Sequence, residues 1–195
     1  MSSKLDDTNI IDYPDLNGLV YNKLFLSEDA NALIYSINED PERKPGIYST
    51  LLRHNRTVKL MDSSSQVAEG GLIVHANSTN NQELGVTIGT EIFTYDIGSK
   101  SLVRLTEDGL PKTQINFQPN SSRISYIVES ETRPIVMIDP RTKVSTILTP
   151  ESHIVNNYKW LTEDTLMYTS NNQLWITATQ NPTHPQVISD GGEIN

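Results

Sequence analysis

The stretch that decides the fold runs from Ile115 to Thr149 and reads INFQPNSSRISYIVESETRPIVMIDPRTKVSTILT. Short runs of β-branched, aromatic and aliphatic residues recur in it, separated by Pro, Asn, Ser, Asp and Arg: residues 115–117, 123–128, 135–138 and 145–149. Runs of this length and composition, bounded by turn residues, are typical of β-strands. Pro134 stands immediately before the third run, where a strand can begin. The stretch therefore predicts a unit of four strands.

The same layout occurs three more times along the chain. The third run of each copy begins with an aliphatic residue: Ile47, Ile92, Ile135 and Leu174. These starts are 45, 43 and 39 residues apart, and the first-run aromatics Phe117 and Trp160 are 43 residues apart. A four-stranded unit every ~40–45 residues is the spacing of a β-propeller blade. A β-sandwich with evenly spaced strands is the alternative, but the repeated layout favours the propeller.

The junction between two of these units carries a second pattern. One unit ends on Leu105 and Thr106, and the next opens with Phe117. The turns that follow are Glu107-Asp108-Gly109 and Gln118-Pro119-Asn120-Ser121. This pattern resembles the repeat of TolB-like β-propellers, which also occurs in the propellers of prolyl-oligopeptidase and dipeptidyl-peptidase enzymes. Their repeat has Ser-Pro-Asp-Gly in the second turn, and that turn is degraded here. The resemblance covers residues 22–192 and implies the fold, whereas one fold hosts many activities.

An all-β fold follows, namely a β-propeller of about four four-stranded blades. The predicted blades cover residues 22–66, 67–110, 111–153 and 154–195, and residues 1–21 form an N-terminal segment that is a candidate closing strand. Closed propellers hold about 4–8 blades, and TolB-like propellers usually hold more than four. The chain is therefore interpreted either as a small closed propeller or as a fragment of a larger one. The open edges of a fragment need a partner or a second copy.

Aromatic residues at equivalent repeat positions are predicted to form the core. Phe117 and Trp160 occupy the first strands of adjacent blades, and we expect both to be buried between blades. Tyr35, Tyr126 and Tyr168 lie in second strands. We expect the tyrosines to be core residues rather than to line a face or channel, because such rings bury large apolar areas.

Composition excludes several classes of protein. The 15 Lys and Arg and 24 Asp and Glu residues give a net charge of −9, which argues against nucleic acid as the main partner. There is no cysteine, so a disulfide scaffold, a thiol nucleophile and a Cys-ligated metal site are excluded. No apolar run approaches the roughly 18 residues that span a bilayer. An acidic pair at residues 6–7 stands where a signal peptide would be apolar, so we expect no signal in this chain. A periplasmic or extracellular location stays open for a chain whose signal has been removed.

Motifs that carry enzyme chemistry are missing from the sequence. The four histidines have no metal-binding spacing: His54, His75, His153 and His184. There is no G-x-S-x-G nucleophile elbow and no Gly-rich phosphate loop. The acidic turns match no calcium loop and are predicted to be solvated: Glu28-Asp29, Glu107-Asp108 and Glu163-Asp164. We therefore predict no catalytic, cofactor-binding or metal-binding residue, and we expect His75 to be packed or hydrogen-bonded within a strand.

The sequence thus predicts a non-enzymatic β-propeller module for protein–protein interaction. Its expected partner is another protein or a second copy of the chain. The alternative is the substrate-gating propeller portion of a serine peptidase whose catalytic domain is absent from this chain. A third interpretation, weaker than these two, is a propeller that binds a small molecule or a glycan.

Overall fold

The computed structural model describes residues 24–26, 31–37, 44–54, 56–62, 71–77 and 82–189. Within these ranges the regular secondary structure consists of strands, and no helix is present. No segment of the described residues is therefore a helix able to cross a membrane. The predicted segment 1–21 and the turn Glu28-Asp29 lie outside the described residues.

The strands form four antiparallel sheets of four strands each, and in every sheet the spatial order follows the chain order. The first sheet contains β1 (Leu24–Leu26), β2 (Ala32–Ile37), β3 (Gly46–Leu51) and β4 (Arg56–Asp62). The second contains β5 (Leu72–Asn77), β6 (Glu83–Ile88), β7 (Glu91–Asp96) and β8 (Ser101–Arg104). The third contains β9 (Lys112–Phe117), β10 (Ile124–Val128), β11 (Ile135–Ile138) and β12 (Ser145–Ile147). The fourth contains β13 (Val155–Trp160), β14 (Thr165–Ser170), β15 (Gln173–Ala178) and β16 (Gln186–Ser189).

Tight turns explain why neighbouring strands in a sheet are also neighbours in sequence. The hairpin of β14 and β15 closes through Asn171 and Asn172, whose φ angles are +52° and +59°. Both central residues of the favoured type I′ hairpin turn need positive φ, which asparagine tolerates better than most residues. The flanking residues Ser170 and Gln173 are paired across this turn. Local chemistry at the turn therefore sets the register of the hairpin.

The core lies between successive sheets rather than within one sheet. Ile92 and Leu105 of the second sheet pack with Ile115, Phe117 and Ile124 of the third sheet in one buried cluster. Similar clusters join the first sheet to the second and the third to the fourth. One sheet cannot bury both of its faces by itself, so the sheets stack. This stacking of four-stranded meanders is the arrangement of propeller blades, and the sheets are called blades one to four below.

The Leu-Thr pair that ends a blade has a defined structural task. In the second blade Leu105 N–H donates to Ile92 O at 2.8 Å, and Ile92 N–H donates to Thr106 Oγ1 at 2.9 Å. In the third blade Ile135 N–H donates to Thr149 Oγ1 at 3.2 Å. The threonine hydroxyl thus accepts a strand N–H where the outer strand has already ended. This explains why the pair recurs in the repeat.

The aromatic positions of the repeat follow the predicted register. Phe117 pairs with Ile124, and Trp160 pairs with Leu166, so the two rings are equivalent. Phe117 is buried, but Trp160 is only half-buried against the cluster between blades three and four. The prediction that both rings are buried between blades therefore holds for Phe117 and is only partly correct for Trp160. The second-strand tyrosines are all buried in the core: Tyr35, Tyr126 and Tyr168.

Candidate protein-interaction surface

The buried face of the third blade shows what a blade offers to its neighbour. Ser125 and Ile127 on β10 and Ile135 and Met137 on β11 point toward the fourth blade and are buried. The three apolar side chains join a cluster with residues of blade four: Tyr158, Leu166 and Tyr168. Ser125 accepts a hydrogen bond from the indole of Trp160 in the same interface. An apolar face with one polar group is therefore covered by aromatic and aliphatic side chains of the next blade.

The fourth blade repeats this face, but there the face is open. The strand pairing makes Met167, Thr169, Leu174 and Ile176 equivalent to Ser125, Ile127, Ile135 and Met137, in that order. All four are only half-buried, and none of the apolar clusters formed by the described residues includes them. We call these four residues the open face.

A groove runs over the open face. Its volume is about 250 Å³, and the side chains of Met167, Thr169 and Leu174 lie along it, with Asn157 and Lys159 toward β13. This volume is below the roughly 300–1,000 Å³ of most small-molecule sites. The equivalent space on blade three is filled by rings of the next blade. The groove therefore has room for one or two large side chains.

The outward face of the first blade differs from the open face. Tyr35 and Ile37 are fully buried there, and Tyr48 is buried as well. The rings of Tyr35 and Tyr48 are stacked with centroids 6.0 Å apart, and the ammonium of Lys59 lies 5.6 Å from the Tyr48 ring centroid. The Tyr35 hydroxyl is 3.1 Å from Thr50 Oγ1. Among the described residues, the exposed blade face thus belongs to the fourth blade.

A buried polar network joins blades three and four. Tyr158 O–H donates to Gln114 O at 2.7 Å and lies 2.8 Å from Ser125 Oγ. Trp160 Nε1–H donates to Ser125 Oγ at 2.8 Å, and Asn116 Nδ2 donates to Gln114 O at 2.9 Å. Burial raises the pKa of Tyr158 to about 12, so its hydroxyl stays protonated and able to donate. The network shows which polar groups hold two blades in register.

Gln114 contributes to this network in a way that no sequence pattern indicated. Its amide Nε2 donates to Asn156 O at 2.9 Å, and its Oε1 accepts Tyr158 N–H at 3.2 Å. The side chain thereby pairs with the backbone of β13 as a neighbouring strand would. Its own backbone has a φ of +50°, next to an irregularity in the pairing of β9 with β10. Only the positive φ marks this residue, and a sequence does not reveal it.

A buried ion pair joins blades two and three. Lys112 has a fully buried side chain, and its Nζ lies 3.3 Å from Glu91 Oε2 and also contacts Asp108. Glu91 accepts hydrogen bonds from Thr106 Oγ1 at 2.5 Å and from Gly109 N–H at 2.6 Å. Burial raises the pKa of Glu91, but these hydrogen bonds and the Lys112 charge outweigh it, so the pKa is lowered. Both residues of the Glu107-Asp108 turn are exposed, as expected of a solvated turn, and Asp108 in addition contacts Lys112.

The histidines have different surroundings. His75 Nε2 lies 2.8 Å from Thr87 Oγ1, which agrees with the expectation of a hydrogen-bonded strand residue. His153 Nδ1 lies 2.7 Å from the Tyr168 hydroxyl, and its ring is 4.4 Å from that of Trp175. Burial lowers the pKa of His153. No group of three His, Asp or Glu side chains in the described part of the chain is arranged to hold a metal ion.

Comparison with known proteins adds information at the level of structure. No protein-family model matches the sequence, and no curated protein matches it. Solved structures do match. A putative TolB from Agrobacterium tumefaciens has a TM-score of 0.64 and 12% identity, covering 87% of this chain and 65% of that one.

Two further solved structures show the range of these matches. The WD40 repeats of RRP9 have a TM-score of 0.64 and 11% identity, covering 87% of this chain and 51% of theirs. A prolyl endopeptidase has a TM-score of 0.63 and 14% identity, covering 88% of this chain and 28% of that one. At such identities the likeness shows the fold, and it confirms the TolB-like β-propeller. The chain spans about half the length of the first solved structures that it matches.

Proposed function

We propose that this β-propeller chain is a non-enzymatic module that binds a protein partner through the open face of its fourth blade. The observation that supports the proposal is the equivalence of this face with the covered face of blade three. The same positions are buried at one place in the stack and half-exposed at the next. Apolar area removed from water contributes about 25 cal/mol per Å². A partner that covers the open face therefore gains the same hydrophobic stabilisation that holds neighbouring blades together.

The chemistry of the partner is suggested by the interface between blades three and four. There the covering blade brings rings and aliphatic side chains, together with the Tyr158 hydroxyl and the Trp160 indole N–H, which reach across to Ser125. We therefore expect a partner that presents one face of a β-sheet with at least one aromatic side chain. A second copy of this chain is one such partner, and a different protein with a sheet face is another.

The experiment replaces an apolar side chain of the open face by a charge. Leu174→Asp places a carboxylate in the groove, where burial against a partner disfavours it strongly. Leu161→Asp is the matched control, because Leu161 is 46% exposed in the turn between β13 and β14. Sedimentation velocity then measures self-association of the parent and both variants. We expect concentration-dependent association that Leu174→Asp abolishes and Leu161→Asp keeps.

A second arm covers a partner other than a copy of this chain. Proteins from the native source that bind the parent and the Leu161→Asp control, but not Leu174→Asp, are purified and tested again as two-component mixtures by calorimetry. The proposal is contradicted if the parent is strictly monomeric and every reconstituted partner binds Leu174→Asp as well as it binds the parent.

Absence of catalysis is part of the proposal. We expect no hydrolysis of peptide or ester substrates by the purified chain, since no activated nucleophile is visible in the sequence. Turnover that survives repurification and a protease-inhibitor control would contradict this. The peptidase-gating alternative is supported by the likeness to prolyl endopeptidase, which concerns the fold. A natural reading frame that continues into an α/β domain with a G-x-S-x-G motif would favour that alternative.

A further inference from the structure

One residue of the strand beside the open face departs from the repeat. Lys159 of β13 pairs with Met167, and Asn116 of β9 pairs with Ser125, the blade-three equivalent of Met167. Lys159 and Asn116 therefore occupy equivalent positions, but Asn116 is neutral and half-buried, whereas Lys159 is charged and exposed. The corresponding residues of the first two blades are also uncharged: Phe25 and Ala76. Within the described strands, a charge at this position thus coincides with the uncovered face.

The covered interface shows what this position contacts when a neighbouring blade is present. Asn116 Nδ2 donates to the Tyr158 hydroxyl at 3.3 Å, and Ser125 Oγ lies 2.8 Å from the same hydroxyl. A side chain of the covering strand thus ends beside the equivalents of Lys159 and Met167. On the open face the same place is bordered by an ammonium and a thioether instead of an amide and a hydroxyl. An ammonium only donates hydrogen bonds, so a covering group that pairs with it must be an acceptor.

The groove over the open face carries one unbalanced charge. Of the described residues that line it, Lys159 is the only charged one, and it forms no ion pair within the described part of the chain. Glu163 and Asp164 follow in the turn after β13, and neither pairs with it. A partner that covers the groove removes water from the ammonium, which is costly unless the charge is paired. A carboxylate at this place forms a charge-assisted hydrogen bond, about twice as strong as a neutral one.

We propose, on the premise that the open face binds a protein, that its tightest partner is a different protein that presents one Asp or Glu carboxylate to Lys159. The carboxylate takes the place that the Tyr158 hydroxyl takes beside Asn116 in the covered interface. Apolar and aromatic side chains around it cover Met167 and Leu174. A single carboxylate is sufficient, because the described lining of the groove holds a single charge. The partner therefore needs no acidic surface beyond that one group.

A second copy of the chain fits the open face less well than such a partner. Its first blade is not free to cover the face as a next blade would, because the outward side chains Tyr35 and Ile37 are already fully buried. Two open faces stacked on each other bring two Lys159 ammoniums and no carboxylate from the described lining residues. Like charges brought together in an interface disfavour that pairing. Self-association through the open face is therefore weaker than binding of a partner with a carboxylate.

Charge variants of the whole chain test the proposal. The partners used are proteins that bind the parent and Leu161→Asp, but not Leu174→Asp, as purified two-component mixtures. Calorimetry compares Lys159→Gln, which removes the charge, with Lys159→Arg, which keeps it. Lys143→Gln is the matched control, because Lys143 is exposed in the turn before β12. We expect at least about tenfold weaker binding for Lys159→Gln and less than about threefold change for Lys159→Arg and Lys143→Gln. Added salt should weaken the parent complex more than the Lys159→Gln complex.

Chemical cross-linking identifies the group on the partner. A water-soluble carbodiimide joins an amine to a carboxylate in contact with it as an amide, with loss of one water. We expect Lys159 to be joined to one Asp or Glu of the partner, and mass spectrometry of the digested complex locates both residues. Lys159→Glu, combined with Lys in place of that acidic residue, should bind at least about tenfold more tightly than either charge reversal alone. Self-association, measured by sedimentation velocity, should be unchanged or stronger for Lys159→Gln.

The outcomes separate this inference from the proposed function. If the parent is monomeric and no purified protein distinguishes Leu174→Asp from the parent, both fail. If a partner depends on Leu174 but binds Lys159→Gln as tightly as the parent, or if the charge swap recovers no affinity, the proposed function stands and the inference is overturned. Self-association that is tighter than every such complex, or that Lys159→Gln weakens, overturns the inference as well, because a second copy is then the occupant.

Discussion

Removal of the Tyr158 hydroxyl tests how blades three and four are held together. This hydroxyl donates to Gln114 O and lies 2.8 Å from Ser125 Oγ. A hydrogen bond of this kind contributes about 0.5–1.5 kcal/mol net to folding. In Tyr158→Phe the Gln114 carbonyl still accepts a hydrogen bond from the Asn116 amide, and Ser125 Oγ still accepts one from the indole N–H of Trp160. We therefore expect a loss of about 1–2 kcal/mol in the free energy of unfolding.

A double-mutant cycle distinguishes a coupled network from independent bonds. Ser125→Ala leaves the Trp160 indole N–H without its acceptor, which costs about 1–3 kcal/mol. Since Tyr158 and Ser125 contact each other, the double variant should lose less than the sum of the single losses, by about 0.5–1.5 kcal/mol. Tyr35→Phe serves as the control, because its hydroxyl contacts Thr50 in the first blade. Its loss should add to that of Ser125→Ala within about 0.5 kcal/mol.

The assay is urea unfolding followed by two signals. Both tryptophans of the chain, Trp160 and Trp175, lie in the fourth blade, so fluorescence reports on that blade. Far-UV circular dichroism reports on all strands. If the fluorescence transition occurs at a lower urea concentration than the circular dichroism transition, blade four undocks before the other blades unfold. A loss of 1 kcal/mol lowers the thermal midpoint of a domain of this size by about 2–4 °C. A coupling energy below about 0.3 kcal/mol between Tyr158 and Ser125 would refute the network.

Three further perturbations have defined outcomes. Lys112→Met removes the buried cation that Glu91 and Asp108 share, while Glu91 keeps the Arg104 guanidinium at 3.9 Å, so the loss in urea unfolding should be about 1–3 kcal/mol, whereas exposed Lys143→Met should change stability by less than about 0.5 kcal/mol. Burial lowers the pKa of His153 in the folded state. As the pH falls, His153 therefore binds a proton in the unfolded chain at a higher pH than in the folded chain. Stability should therefore decline as the pH falls below about 6.5, until the lowered pKa is reached, and the thermal midpoint of His153→Gln should decline less over that interval. Phe117→Ala should cost about 3–5 kcal/mol, and half-buried Trp160→Ala should cost less; an equal or larger loss at Trp160, measured by circular dichroism, would contradict the burial found for the two rings.

Much of the fold is predictable from the sequence because its signals are local. The predicted run 135–138 coincides with β11, and the predicted run 123–128 encloses β10. Each predicted blade range encloses the strands of one sheet. Strand composition, turn residues and the ~40-residue period all act over a few residues or one repeat. The signal of the Leu-Thr pair is equally local, because the threonine hydroxyl accepts a hydrogen bond from a strand N–H of its own blade.

The candidate sites could not be predicted from the sequence because they depend on contacts between blades. Lys112 and Asp108 are ordinary charged residues in sequence, and only their placement beside Glu91 makes them a buried group. Gln114 likewise acquires its role from the backbone of β13. None of these distances follows from a periodic pattern.

The sequence by itself determined that strands form, that they are grouped in fours and that each group has two faces requiring cover. It did not determine which face is left uncovered. Ile135 and Leu174 occupy the same place in their blades, yet the first is fully buried and the second is half-buried. Burial is a property of what lies next to a residue in space, and a periodic sequence repeats the face without stating its neighbour. Only the stacking order of the blades decides that Ile135 belongs to the core and Leu174 to the open face.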